Sequence, residues 1–207
     1  CVENTHNGSG GRVLPLPQLT EIADVARRYK LPLHLDGARL WNAAAASGVP
    51  EAQFAAQADT VMVSLSKGLG CPVGSLLAGT RAHMDAARWV RRRLGGGMRQ
   101  SGILAAAGSY ALQHNRQRLR EDHDHARLLA ARISGLSGVR VTEPETNIVM
   151  IDIERADMAA GDVVSKLKEQ GVLMVEFNKT RVRAVTHMDV TRQDVERAAD
   201  ALTRVMA

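Results

Sequence analysis

The chain has 207 residues, 45% hydrophobic and 24% charged, with a net charge of +5 and a sequence pI near 9.7, enough to bury a real core in one large domain or one and a half. No apolar run can span a bilayer, no signal-like segment opens the chain, and two cysteines 70 residues apart make no disulfide framework, so a soluble protein of the reducing cytoplasm is expected. The basic WVRRRLGGGMRQ at 89–100 would suit an acidic partner, but only 3% aromatic residues and the lack of any nucleic-acid motif argue against nucleic-acid binding.

In chain order, CVENTHNGSGGRVLPL reads as the end of a strand running into a Gly/Asn/Ser turn, an opening that implies something before it. Residues 17–30 read as a helix, with Leu19, Ile22, Ala26 and Tyr29 at helical spacing and Arg27, Arg28 and Lys30 in the last turn, where cations suit the helix dipole. LPLHLD (31–36) is a short strand ending in an acid, GARLWNAAAAS a helix, and DTVMVSLS (59–66) a second buried strand. Strand, helix, strand over this length is a βαβ crossover with parallel strands. GSLLAG (74–79) gives a third strand, followed by an arginine-rich helix from about Thr80 to Leu94, the GGG break at 95–97 and a long helical stretch from Gln100. After Gly135 the texture changes to short strands in GVRVTEPETNIVMIDI, GVLMVEF and RVRAVT, with a helix at about 160–170. A closing helix is capped by Thr191 and Asp194. The expected architecture is α/β: a mainly parallel sheet in a large domain over 1–120, then a smaller α+β domain over 121–207.

The stretch SLSKGLGCPVG (64–74) carries the candidate chemistry. Of 27 basic residues only Lys30, Lys67, Lys166, Lys168 and Lys179 are lysine, so Lys67, in a loop just after a strand, stands out as a place where lysine chemistry is wanted. In open α/β sheets ligands sit beyond the carboxyl ends of the strands, and Asp36 and Lys67 both fall there. An Asp and a Lys so placed can form a plain ion pair. They can also form a pyridoxal phosphate site, in which the lysine makes a Schiff base with the aldehyde and the aspartate pairs with the protonated ring nitrogen. Arginine cannot replace that lysine, because its guanidinium stays protonated. Ser64 and Ser66 are either phosphate-binding hydroxyls, with Ser64 the better placed, or ordinary turn hydroxyls.

ENTHNGSGGRVLPL, LHLDGARLWNA, SLSKGLGCPVGSLLAG, RRRLGGGMRQSGILAAAGSYAL and VTHMDVT resemble, in order, successive blocks of the low-specificity L-threonine aldolases, pyridoxal-phosphate enzymes of fold type I, the aspartate aminotransferase-like class. The resemblance implies part of the large domain plus the small C-terminal domain, and a lyase that splits L-threonine or L-allo-threonine into glycine and acetaldehyde. It implies pyridoxal 5'-phosphate as cofactor, Lys67 as the anchoring lysine and Asp36 as the partner of the ring nitrogen. Arg39 and Arg183 would hold the substrate carboxylate or the ring hydroxyl, and Arg99 would lie near the cofactor phosphate across a subunit interface in a homodimer or homotetramer. Arginine suits an amino-acid substrate because its planar fork fits a carboxylate, although Arg99 also reads as part of a solvated basic patch.

The family has a long N-terminal portion before the ENTHN block, holding a phosphate-cupping turn and a ring that stacks on the cofactor. The resemblance therefore covers only the C-terminal part, and a separate N-terminal segment of the same enzyme is an expected partner. The alternatives are a non-catalytic fragment of that enzyme and a related β-eliminating lyase. EDHDHA (121–126) lacks the i, i+4 histidine pair of a helical metal site and reads as a solvated face. His6 and Asn4 can approach the cofactor or bond to local backbone, and Cys71 reads as a packing residue.

Overall fold

A computed structural model of the chain describes residues 1–207, which divide into two units, one of Cys1–His6 and Val13–Leu119 and the other of Asn7–Arg12 and Arg120–Ala207. In the first unit the elements are β1 (Val2–Glu3), α1 (Leu16–Arg28), β2 (His34–Gly37), α2 (Leu40–Ser47), α3 (Glu51–Ala55), β3 (Thr60–Ser64), β4 (Ser75–Gly79), α4 (Arg81–Arg93) and α5 (Gly102–His114). The sheet runs β1-β2-β3-β4. β1, β2 and β3 are parallel, and His34 stands beside Thr60 and Asp36 beside Met62, which bears out the βαβ crossover. β4 returns antiparallel to β3, because the loop 65–74 is too short for the crossover that a parallel neighbour needs.

α1 starts after Pro15, with Pro17 in its first turn, where a missing N–H costs nothing. Its buried stripe is Leu19 and Ala23, with Ala26 partly buried, while Ile22 and Tyr29 are exposed. The helix thus packs by its small-residue side on Leu33, Leu35, Leu40, Phe54 and Val61, not by the full stripe that spacing suggests. α4 is capped by Thr80, whose hydroxyl accepts the His83 N–H at 3.3 Å. The long helix expected from residue 100 is two helices. Asn115 ends α5 and turns its side-chain amide to the Leu69 carbonyl at 2.8 Å, a local side-chain bond that competes with continuing the helix.

The second unit takes all but the first residue of α6 (Leu119–Ile133), then β5 (Val139–Val141), β6 (Ile148–Ile153), α7 (Ala160–Glu169), β7 (Val175–Asn178), β8 (Arg181–Val185) and α8 (Arg192–Met206). Its sheet is wholly antiparallel in the order β5-β6-β8-β7. β6 is buried along its length and shares one core with Val182 and Ala184 of β8, Leu129 and Ile133 of α6, Val163 and Leu167 of α7, and Val195 and Leu202 of α8. The expected cap of α8 is present in both directions: Thr191 Oγ1 accepts the Asp194 N–H at 3.2 Å and Asp194 Oδ2 accepts the Thr191 N–H at 3.0 Å.

Residues 7–12 join this unit by lying on β6 and the residues just before it. Gly10 and Gly11 have φ of +83° and +75°. A Cβ at Gly10 would stand 2.9 Å from Met150 Cγ, and one at Gly11 would run into Thr146 Oγ1; only glycine meets both demands. The fully buried Thr146 donates its hydroxyl to the Gly11 carbonyl at 2.6 Å.

The EDHDHA face is not solvated. Asp122, His123 and His125 are all buried, and Thr186 Oγ1 donates to the Asp122 carbonyl at 2.6 Å. α6 buries a face wide enough to take in Asp122, His123, Ala126, Leu129, Ala130 and Ile133 together, broader than the stripe of a surface helix. Burial, with the Arg127 guanidinium adding to it, pushes the His123 imidazole down from 6.5 to about 4. The imidazole therefore folds neutral, and its contribution is fully present above pH 6.5 and lost as pH falls toward 4. That loss should reach about 3 kcal/mol. Urea unfolding across this range should show a steeper acid loss for the native protein than for His123→Gln; parallel curves would remove His123 from the account.

Candidate active site

β2 ends in Asp36 and Gly37. A Cβ at Gly37 would stand 2.6 Å from the Met62 carbonyl, so glycine lets the end of β2 lie close against β3. The Asp36 carbonyl accepts the Asn4 N–H at 2.9 Å, and Asp36 Oδ1 accepts the Ala38 N–H at 3.0 Å. The carboxylate is thereby oriented by its own backbone, and its second oxygen is left for a donor from outside. Arg39, half-buried, directly precedes α2.

Lys67 lies three residues beyond the buried Ser64 at the end of β3, on a loop that closes on itself. Leu65 donates to the Gly74 carbonyl at 2.9 Å, Cys71 donates to the Leu65 carbonyl at 3.0 Å, and Gly70 donates to the Lys67 carbonyl at 2.9 Å. From below, Leu65, Leu69 and Cys71 are buried with Ala111 and Leu119, and Trp41, Ala45 and Leu112 pack around them. Cys71 is thus the packing residue that its sequence setting suggests; burial pushes its thiol up and its Sγ approaches the Ala107 carbonyl at 3.6 Å. The result is an exposed lysine on a rigid base at the carboxyl end of a strand, beside the parallel strand that ends in Asp36. Ser64 Oγ and Ser66 Oγ are 3.4 Å apart, two hydroxyls on the approach to the lysine.

These residues suit pyridoxal phosphate at the ends they provide: an amine for its aldehyde, and a carboxylate with one oxygen uncommitted for its ring nitrogen. The candidates from sequence thus fall into three places. Asp36, Arg39, Ser64 and Lys67 share the carboxyl edge of β2 and β3. Arg99 is exposed between α4 and α5. Arg183 belongs to β8 of the second unit. Asn4 is a structural clip, its amide accepting from the Leu14 N–H and donating to the Leu14 carbonyl, both at 3.0 Å, while His6 is exposed with its Nε2 3.6 Å from Glu3.

Arg183 has surroundings that sequence did not reveal. Its Nη1 donates to Asn7 Oδ1 at 2.9 Å across 176 residues of chain, and its guanidinium carbon lies 5.9 Å from the centre of the Phe177 ring. Its Nε is buried with no acceptor, a state that costs about 1–3 kcal/mol for a donor of this kind. Asn7 carries no local signal for this role, since an Asn before Gly reads as a turn residue.

A mostly parallel sheet with an acid at the end of one strand and a lysine loop after the next gives the first unit the architecture of the fold type I class. The chain belongs to the beta-eliminating lyase family, which matches residues 1–156. It is 42% identical over 209 residues to low-specificity L-threonine aldolase 1 of Arabidopsis thaliana, covering 100% of this chain and 58% of that protein. It is 43% identical over 199 residues to the low specificity L-threonine aldolase of Escherichia coli K12, covering 96% of this chain and 57% of that one. The solved threonine aldolase of Leishmania major has the same fold, with a TM-score of 0.78 at 20% identity over 99% of this chain and 60% of its own. The chain therefore spans little more than half the length of these relatives.

Proposed function

We propose that this chain is part of a pyridoxal-phosphate-dependent lyase that cleaves L-threonine or L-allo-threonine between Cα and Cβ, giving glycine and acetaldehyde. The reading rests above all on Lys67, the exposed amine on a closed, core-anchored loop beside the strand that ends in Asp36. Lys67 Nζ would anchor the cofactor, and the Asp36 carboxylate would pair with its ring nitrogen and favour the protonated form. Once bound, pyridoxal 5'-phosphate supplies a sink for the electron pair left on Cα when a bond there breaks. The chain's own residues decide which bond that is. Arg39 and Arg183 are the guanidinium groups for the substrate carboxylate or the ring hydroxyl, and fixing the carboxylate would orient Cα and so select which of its bonds breaks. Ser64 is a hydroxyl donor to the cofactor phosphate, and Arg99 serves that phosphate from a neighbouring subunit.

Assembly into a homo-oligomer belongs to this reading. Leu76, Leu77, Trp89, Val90, Leu94, Met98 and Ile103 are exposed, apolar side chains that a neighbouring subunit would cover. No helix of the structure is long and apolar enough to cross a membrane, and a cytoplasmic setting suits the two cysteines, neither of which is in a disulfide.

The deciding experiment supplies glycine and acetaldehyde to the whole enzyme. Formation of a β-hydroxy amino acid is the expected result. Release of ammonia and a keto acid from threonine, with no aldol product, would instead identify an eliminating lyase on the same Lys67 and Asp36.

A further inference from the structure

β8 alternates cleanly: Val182 and Ala184 are buried, while Arg181 and Arg183 lie on its other face. The two arginines use their guanidinium groups differently. Arg181 turns Nε and Nη2 side-on to the carboxylate of Asp152 in β6, at 2.5 and 3.1 Å, and is satisfied by it. Arg183 meets no carboxylate in the chain. It gives Nη1 to the amide oxygen of Asn7 at 2.9 Å, faces the Phe177 ring, and has a buried Nε with no acceptor. An arginine held on one side and unsatisfied on the other is prepared for an anion.

The hold on Arg183 is itself built. Asn7 opens the short helical turn Asn7–Ser9, and four contacts of neighbouring residues fix that turn: Gly10 and Gly11 in left-handed conformations against Met150 and Thr146, the Thr146 hydroxyl on the Gly11 carbonyl, and the Arg12–Glu145 ion pair at 2.9 Å. All of these residues belong to the second unit. We propose that Asn7 is a positioning residue for the substrate: its amide oxygen fixes the Arg183 guanidinium by Nη1, so that the remaining N–H groups are the ones that meet the amino-acid carboxylate. The inference rests on the reading of Arg183 given above. An amide suits this task better than a carboxylate would. It accepts a hydrogen bond and orients the guanidinium without cancelling its charge, whereas an aspartate would compete with the substrate's own carboxylate for the same cation.

The difference in charge between an amide and a carboxylate can be tested directly. Asn7→Asp nearly preserves shape and adds a charge; Asn7→Ala removes the hold and adds none. Steady-state kinetics of the whole enzyme with L-threonine, alongside Arg183→Lys, should show KM raised about tenfold in Asn7→Ala with a much smaller fall in kcat, as for lost substrate binding, and raised further still in Asn7→Asp. Thermal unfolding of the variants should stay close to that of the native protein. If Asn7→Asp behaves like the native protein while Asn7→Ala is impaired, Asn7 serves packing and the proposal fails. A raised KM in Arg183→Lys with neither Asn7 variant affected overturns the role of Asn7 alone. No change in any of the three overturns the reading of Arg183 and the proposal with it.

Discussion

Replacing Lys67 with alanine or arginine should lower turnover by about a thousandfold or more, the scale on which removal of a covalent catalytic group acts. The backbone of the loop should survive the change, because its closure uses main-chain groups, Gly70 N–H to the Lys67 carbonyl and Cys71 N–H to the Leu65 carbonyl, and its anchorage uses Leu65, Leu69 and Cys71. Arginine is the more instructive substitute. It keeps the positive charge, so a merely electrostatic role for Lys67 would leave Lys67→Arg substantially active, whereas attachment of an aldehyde requires a neutral amine that a guanidinium does not provide. Borohydride reduction of the holoenzyme and subsequent peptide mapping should place the pyridoxyl group on Lys67. Its recovery on Lys30 or Lys179 would sink the assignment.

Asp36→Asn should retain cofactor yet lose turnover by about a hundredfold, the order of effect seen when one fixed electrostatic partner of a reacting system is removed. The substitution is nearly isosteric, and an amide oxygen can still accept the Ala38 N–H that Asp36 Oδ1 now accepts at 3.0 Å. What it removes is the negative charge that, on the proposed reading, would keep the ring nitrogen protonated. Cofactor content measured by absorbance should therefore stay near one per site while the rate of threonine cleavage collapses. Near-normal activity in Asp36→Asn would refute the role, and loss of cofactor together with activity would point to Asp36 as a structural rather than an electronic partner.

Much of this could be read from the residues because it is local. The runs LHLD and TVMVS, separated by an alanine-rich helix, dictate a parallel pair, and Thr191 with Asp194 marks the start of α8 through contacts three residues apart. The arginine-rich helix α4, likewise, is bounded by Thr80 and the glycines at 95–97. What escaped reading depends on partners distant in sequence. Ile22 and Tyr29 look like core at helical spacing, and only the position of α1 against its sheet shows that Leu19 and Ala23 are the residues covered. The polar string EDHDHA looks solvated, and its burial involves partners far along the chain, such as Thr186, whose hydroxyl donates to the Asp122 carbonyl. The hold of Asn7 on Arg183 has no trace in either local stretch. It arises because a glycine-paired turn near the start of the chain is laid on β6, next to the strand that carries the arginine.

That turn makes the second unit a discontinuous module, with a consequence for anyone who would excise, graft or recombine it. A gene boundary drawn at residue 120 respects the longer stretch of chain but leaves residues 7–12 behind. The excised piece would then carry a Thr146 hydroxyl without the Gly11 carbonyl it donates to, a Glu145 without Arg12, and Met150 and Ile148 without the glycines that approach them. Such a piece should be less stable than the same stretch supplied with a peptide of residues 7–12, and the peptide should restore protection to the amides of β6. Crossovers between homologous genes face the same constraint: the turn and β6 must be inherited from one parent, although well over a hundred residues separate them in the sequence.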